Sequence, residues 1–216
     1  MRRILRLLAV AAALLAVSCS GGKNFSKGDL EIIHSNPNEL LHIYTVENPA
    51  EMEVLRTPSM DLSKKALHSE DYKVLSERML RTVSDSLVGG VGLAAPQIGI
   101  NKAVIVVCRV DKPGAPYEVY PNIRILSYSP ELEVLQEGCL SIPGRREYIE
   151  RSFGVEVEYY SLEAQKIVRD TIREYAARIF QHEIDHLDGK LYTDRMLYEA
   201  RYTLRNKLML VAQSFF

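Results

Sequence analysis

A helical repeat of apolar residues stands near the middle of the chain. After Ser69, hydrophobic side chains recur every four positions, at Leu75, Met79, Val83 and Leu87. This spacing places them on one face of an α-helix. Ser69 can cap such a helix and Gly89 can end it. The pattern predicts an amphipathic helix from Ser69 to about Gly89, with its apolar face in the core.

Strand patterns dominate the next part of the chain. β-branched, apolar or alternating segments occupy residues 103–110, 118–126, 131–136 and 155–160. A turn at residues 161–164 leads into a fifth strand at 167–172, so the last two strands form a hairpin. Residues 194–211 carry apolar side chains among basic ones, which predicts a C-terminal amphipathic helix.

The predicted helices and strands are segregated rather than alternating along the chain, which is typical of an α+β fold with antiparallel sheets. The 216 residues include 47% hydrophobic ones, enough for one globular domain with a full core. With 27 Lys+Arg against 28 Asp+Glu, the net charge gives no electrostatic reason to expect nucleic acid as a partner.

The first 19 residues have the layout of a secretory signal. Basic residues precede an apolar stretch at 7–17, and the small Ser18 stands before Cys19. Residues 16–19, Ala-Val-Ser-Cys, resemble a bacterial lipobox, in which the cysteine is acylated. We therefore predict lipidation of Cys19 and an exported, membrane-anchored lipoprotein, periplasmic or at the cell surface. The alternatives are a cleaved signal with an incidental cysteine and a cytoplasmic protein.

Residues 20–50 show no sustained period, and we interpret them as a tether followed by an irregular N-terminal extension. The predicted organisation is thus a signal segment at 1–19, the tether and extension at 20–50, and a catalytic domain at 51–216.

Two histidines stand four residues apart in residues 182–186, which read His-Glu-Ile-Asp-His. If residues 173–187 form a helix, His182 and His186 share one face and both can bind one metal ion, with Glu183 beside them. The predicted fold then has antiparallel sheets packed around a central metal-binding HExxH helix. A solvated helix surface is the alternative, which the apolar residues around the motif disfavour: Ile179, Phe180 and Ile184.

A catalytic centre of this type needs a third protein ligand. Tyr192 stands where metzincin proteases have a histidine, which disfavours that class. Cys139, in the segment Glu-Gly-Cys-Leu-Ser at 137–141, offers a thiolate after a predicted strand and is the favoured ligand. Glu199, as in gluzincin proteases, is the alternative. Cys108 lies in an apolar run, so a buried thiol is favoured there over a disulfide with Cys139.

Three segments together resemble the motifs of bacterial peptide deformylases. They are residues 90–97 (Gly-Val-Gly-Leu-Ala-Ala-Pro-Gln), 137–141 and 181–186, and the resemblance covers residues 54–191. It implies removal of the formyl group from N-formylmethionyl peptides. It also implies one divalent metal ion, usually Fe²⁺ with Zn²⁺, Ni²⁺ or Co²⁺ as substitutes, bound by Cys139, His182 and His186.

The resemblance also implies roles for the other motif residues. Glu183 would act as the general base, while the Gln97 side-chain amide and the Leu140 backbone N–H would stabilise the oxyanion. Asp185, next to the ligands, could orient one of them or bind local donors, and both readings stay open.

Substrate binding is expected along the first motif. The peptide would add as a strand beside Gly90, Val91 and Gly92, where the missing side chain of Gly92 permits close approach. Tyr175 and Ile179 would line the pocket for the methionine side chain.

Two alternative functions remain at this point, a zincin-type metallopeptidase and a deformylase-derived lipoprotein that binds without turnover. The chain also departs from the family by nearly fifty residues before the segment where deformylases ordinarily begin.

Overall fold

The computed structural model describes residues 24–196. Within them the helices are α1 (Lys27–Ile33), α2 (Pro49–Leu55), α3 (Lys64–Leu67), α4 (Glu70–Ser84) and α5 (Glu174–Leu187). The strands are β1 (Gly92–Ala94), β2 (Val104–Cys108), β3 (Tyr117–Pro121), β4 (Arg124–Tyr128), β5 (Leu132–Cys139), β6 (Ile142–Ser152), β7 (Gly154–Ser161) and β8 (Lys166–Arg173). A 3₁₀ turn, Ala95–Ile98, follows β1.

All the named strands pair in an antiparallel manner. The sheets have the orders β1-β2-β3 and β4-β7-β8, and β5 with β6 forms a two-stranded ribbon. Helix α5 contacts strands of all three. The predicted α+β fold with antiparallel sheets is confirmed, as is the β7–β8 hairpin. Residues 192–196 are helical, and the remainder of the helix predicted at 194–211 lies outside the described residues.

Strand β2 forms the centre of the core because it is buried on both faces. Val104 and Val106 pack with α4, whose buried side chains include Leu75 and Met79. On the opposite face, two residues of β2 pack with α5 and β7: Ile105 and Val107. The strand alternation therefore holds α4 and α5 on opposite sides of one sheet.

The structure corrects the end of the predicted helix α4. Ser69 caps it as expected, since its hydroxyl accepts the N–H of Tyr72 at 3.2 Å. The helix ends at Ser84, however, and Leu87 lies beyond it with 92% of its surface exposed. Asp85 is extended, and its carboxylate accepts the Leu87 N–H at 2.8 Å. This local turn overrides the four-residue apolar spacing.

The single strand predicted at 118–126 is also wrong, because the chain forms β3 and β4 with a break between them. Asn122 lies at the break with φ +53°. Its side chain bonds both the N–H and the carbonyl of Leu62, each at 2.8 Å. These tertiary hydrogen bonds hold a conformation that a continuous strand would not allow.

The N-terminal extension is more ordered than predicted. Helix α1 begins at a capping box in which Ser26 and Asp29 satisfy each other's backbone N–H groups. Arg78 of α4 lies against the end of α1, and its guanidinium donates to five carbonyls: Ile32, Ile33, Ser35, Asn36 and Glu39. Ile33 and Leu41 are buried in the main core. Residues 24–41 are therefore part of the folded domain.

Arg78→Met tests how strongly residues 24–41 are attached to α4. The substitution keeps an apolar side chain and removes the N–H donors of the guanidinium from a buried site. We expect the free energy of unfolding to fall by about 2–3 kcal/mol in chemical denaturation, since several buried carbonyls lose their partner. Lys73→Met, on the exposed side of the same helix, is the control and should change stability by less than about 0.5 kcal/mol. Equal denaturation midpoints for the two variants would contradict the assignment.

Candidate metal centre

Three potential metal ligands meet at the centre of the fold. Cys139 ends β5, and His182 and His186 lie one turn apart on α5, which matches the helix predicted at 173–187. One ligand atom from each of the three lies within 4.8 Å of the others. Cys139 Sγ is 3.3 Å from His186 Nε2. The protein thus brings together the thiolate and two imidazoles expected from the sequence, and three protein ligands are what a catalytic centre uses.

Glu137 orients one of these histidines, a role that no pattern in the sequence indicated. His182 Nδ1 lies 2.9 Å from Glu137 Oε2, so the ring donates there and leaves Nε2 free to bind a metal. Arg151 donates to both oxygens of Glu137 at 2.9 Å, and Arg178 adds a bond of 2.7 Å. Burial raises the pKa of Glu137, but the bonds from Arg151 and His182 outweigh it and hold that pKa below its usual range.

Within residues 24–196, the Asp185 carboxylate forms hydrogen bonds with arginines rather than with the ligands. Its carboxylate accepts from Arg151 Nη1 at 2.5 Å and from two nitrogens of Arg195 at 2.5 and 2.6 Å. Arg195 lies in the helical residues 192–196, so Asp185 joins α5 to the segment that follows it. Of the two readings left open by the sequence, the structure supports the binding of local donors.

The donor set fits a divalent cation. Burial disfavours ionisation of Cys139, yet the adjacent His186 and His182 outweigh it and hold the pKa of the thiol well below its ordinary value. The site therefore offers a thiolate. Within residues 24–196, the buried Oε2 of Glu183 and Nδ1 of His186 have no hydrogen-bond partner. Thiolate and imidazole are ligands for Fe²⁺, Zn²⁺ and related ions.

Glu183 stands beside the three ligands and is 4% exposed. Burial raises the pKa of its carboxyl group to about 7. Gly92 of β1 lies directly against it, because a Cβ atom built on Gly92 would be 2.3 Å from Glu183 Oε1. The missing side chain of Gly92 therefore leaves room for Glu183, and binding of the peptide beside Gly92 stays a prediction. A side chain at this position would displace Glu183.

Gln97 lies in the 3₁₀ turn after β1 and is 1% exposed. Its Oε1 accepts the Ala94 N–H at 2.8 Å, which fixes the amide. Its Nε2 points to Ser141 Oγ at 3.2 Å and Cys139 Sγ at 3.6 Å. A fixed N–H donor therefore faces the ligand group, which consists of Cys139, His182 and His186. Leu140, the residue after Cys139, lines the same cavity.

The ligand group opens into a cleft of about 510 Å³. All the residues expected to bind substrate line it: Gly90, Val91, Gly92, Tyr175 and Ile179. Tyr175 is 45% exposed and lies at the rim, whereas Ile179 is buried. The cleft therefore places an apolar wall and an edge strand beside the ligand group.

Comparison with known proteins is consistent with this geometry. A family model described as polypeptide deformylase matches residues 40–201. The chain belongs to the peptide deformylase family. A peptide deformylase from Thermotoga maritima is 41% identical over 161 residues, which cover 74% of this chain and 92% of the relative. One from Synechocystis is 39% identical over 144 residues, covering 66% and 74%.

A solved structure supports the same assignment. The Met-Ala-Ser-bound class I type b peptide deformylase from Acinetobacter baumannii superposes with a TM-score of 0.64 and 34% identity. The match covers 73% of this chain and 98% of that one. The chain is therefore an enzyme of the peptide deformylase family. This family removes the formyl group from N-formylmethionyl peptides. Glu199, the ligand of the peptidase alternative, lies outside the described residues.

Gly92→Ala tests the steric limit at Glu183. We expect deformylase turnover to fall by at least about 100-fold, because the Cβ forces the general base away from its position. Metal content should stay the same, since the three ligands are untouched. Gly28→Ala is the control, because its Cβ would meet only Ser26 Oγ at 3.8 Å. Metal analysis and formate release measure the two effects, and full activity in Gly92→Ala would contradict the proposed contact.

Proposed function

We propose that this deformylase hydrolyses the formyl group of N-formylmethionyl peptides at a divalent metal ion bound by Cys139, His182 and His186. One observation carries the proposal: the three ligand atoms lie within 4.8 Å of one another. They also adjoin the buried Glu183 in a cleft large enough for a peptide end. Family membership supports the reaction, and the geometry supports the roles of the residues.

The family implies Fe²⁺ as the metal, with Zn²⁺, Ni²⁺ or Co²⁺ as substitutes, and the thiolate–imidazole donor set suits each of these ions. When bound, the cation supplies Lewis-acid chemistry, which lowers the pKa of water and polarises the formyl carbonyl.

Glu183 moves the proton in this proposal. Its carboxylate takes a proton from the attacking water as the oxygen bonds to the formyl carbon. It returns that proton to the methionine nitrogen as the C–N bond breaks, so a free amine leaves together with formic acid, which releases its proton to water and becomes formate. A pKa of about 7, caused by burial, suits a group that both accepts and returns a proton near neutral pH.

The remaining residues bind and orient the substrate. The Gln97 amide and the Leu140 backbone N–H donate to the charge that develops on the formyl oxygen. The peptide extends beside Gly90, Val91 and Gly92. Two further residues receive the methionine side chain: Ile179 at the wall and Tyr175 at the rim.

Glu183→Ala tests the mechanism with formyl-Met-Ala-Ser as substrate. We expect turnover to fall by about 10²–10⁴-fold, because the general base is lost, while the metal content is retained. Cys139→Ala should instead lose the metal. Glu163→Ala, at an exposed turn between β7 and β8, should leave both unchanged.

Other outcomes would favour the alternative functions. Cleavage of internal peptide bonds, with metal retained in Cys139→Ala, would favour a metallopeptidase. Peptide binding without formate release by the parent protein would favour a binding lipoprotein.

We also propose that the protein is exported and anchored through a lipid on Cys19. The order of basic, apolar and small residues in 1–19 supports this. These residues precede the described part of the chain and the family match, which starts at residue 40. Among residues 24–196, no helix has the length and apolar character needed to cross a bilayer.

Cys19→Ala tests the anchor. Labelled palmitate should be incorporated by the parent protein and lost in Cys19→Ala, because the thiol that accepts the lipid is removed. Cys108→Ala, at a buried thiol, is the control and should keep the label. An unprocessed, unlabelled protein in the cytoplasmic fraction would contradict the proposal.

A further inference from the structure

The segment at residues 90–92 is the edge proposed to bind the peptide. It follows an exposed turn and leads into β1, the edge strand of its sheet. Val91 is 41% exposed. An edge strand can accept an added strand only if its backbone is held in an extended shape. The groups that hold this segment therefore affect how well it binds a peptide.

Besides the β1–β2 pairing, which begins at Gly92, two hydrogen bonds tie residues 90 and 91 to the rest of the sheet. The backbone N–H of Cys108, at the end of β2, donates to the Val91 carbonyl at 2.8 Å. The hydroxyl of Tyr117, the first residue of β3, donates to the Gly90 carbonyl at 2.7 Å. Cys108 and Tyr117 lie directly opposite each other in the β2–β3 pair, so both bonds come from neighbouring positions of the same sheet.

The surroundings leave Gly90 little freedom to find another partner. A Cβ atom built on Gly90 would be 3.0 Å from Val83 Cγ2 and 3.1 Å from Leu140 Cδ1. The backbone thus passes between α4 and the residue that follows Cys139. Because Gly90 is buried, its carbonyl is left unsatisfied when the Tyr117 hydroxyl is removed.

We propose that Tyr117 is a positioning residue for peptide binding, which acts by holding the Gly90 carbonyl and hence the extended shape of residues 90–92. Tyr117 is not among the residues that line the cleft. The inference rests on the proposed function, since that assigns residues 90–92 to the peptide. It adds a residue outside the three motifs to the determinants of substrate affinity.

Tyr117→Phe is the direct test, because it removes one oxygen and keeps the ring. In the metal-loaded full chain we expect the Kd of the product Met-Ala-Ser, measured by calorimetry, to rise about three- to tenfold. The KM for formyl-Met-Ala-Ser should rise by the same factor, while kcat stays within about twofold of the parent and the metal content is unchanged. Tyr117→Leu, which also removes the ring, should weaken binding further.

Tyr148→Phe is the matched control, since this tyrosine is 59% exposed on β6 and should bind the peptide as the parent does. Unchanged affinity in Tyr117→Phe, or a fall in kcat without a change in KM, would overturn the inference. A parent protein that binds Met-Ala-Ser but releases no formate would overturn the proposed function alone. A parent protein that binds no peptide would overturn both.

Discussion

The buried ion pairs of Arg151 are the interaction on which the site depends. Its side chain is 1% exposed and bonds Glu137 on one side and Asp185 on the other. Burying such charges costs several kcal/mol per ion unless each is paired with good geometry. The β5–β6 ribbon supplies the arginine and Glu137, while α5 supplies Asp185. Arg151 pairs with Glu137 within the ribbon, and packing against α5 adds its bond to Asp185 and the bond of Arg178 to Glu137. The charges of both elements are therefore paired where they are buried.

The ion pairs of Arg151 also explain how β5 provides one metal ligand, Cys139, together with Glu137, which orients a second ligand, His182. Alternate residues of a strand face the same side. In β5, Glu137 and Cys139 face inward, with Gly138 exposed between them. The register shifts between Gly138 and Cys139, where the ribbon reaches the ligand group. Because Glu137 is fixed by Arg151 and Arg178, it can hold His182 in one tautomer while Cys139 faces His186. The ligand group is thus formed by packing between elements.

Residues that are close along the chain could be predicted from the sequence, whereas residues joined only by packing between elements could not. The two histidines are four residues apart on α5, so their spacing alone places them on one face, with Glu183 beside them. Glu137 belongs to the segment 137–141, but its partner Arg151 is 14 residues away and Arg178 is 41 residues away, separations that leave no periodic pattern. Strand β6 was missed because residues 143–146 are exposed and polar or small, without alternation. Helix α1 has a local signal in its Ser26–Asp29 capping box, but it is only seven residues long and packs through the tertiary contact with Arg78, so no sustained period predicted it.

The ordered N-terminal extension leaves only a short stretch of chain between Cys19, the proposed lipid anchor, and the folded domain. Four residues separate Cys19 from Asn24, where the described chain begins. Asn24 already touches the domain, since its side chain accepts from Ser63 Oγ at 2.7 Å. A fully extended chain spans about 3.5 Å per residue, so these residues reach less than about 20 Å. A lipid on Cys19, as proposed, would hold the corner formed by Asn24 and Ser63 close to the bilayer. Access of formylated peptides to the cleft would then depend on the orientation of a closely tethered domain.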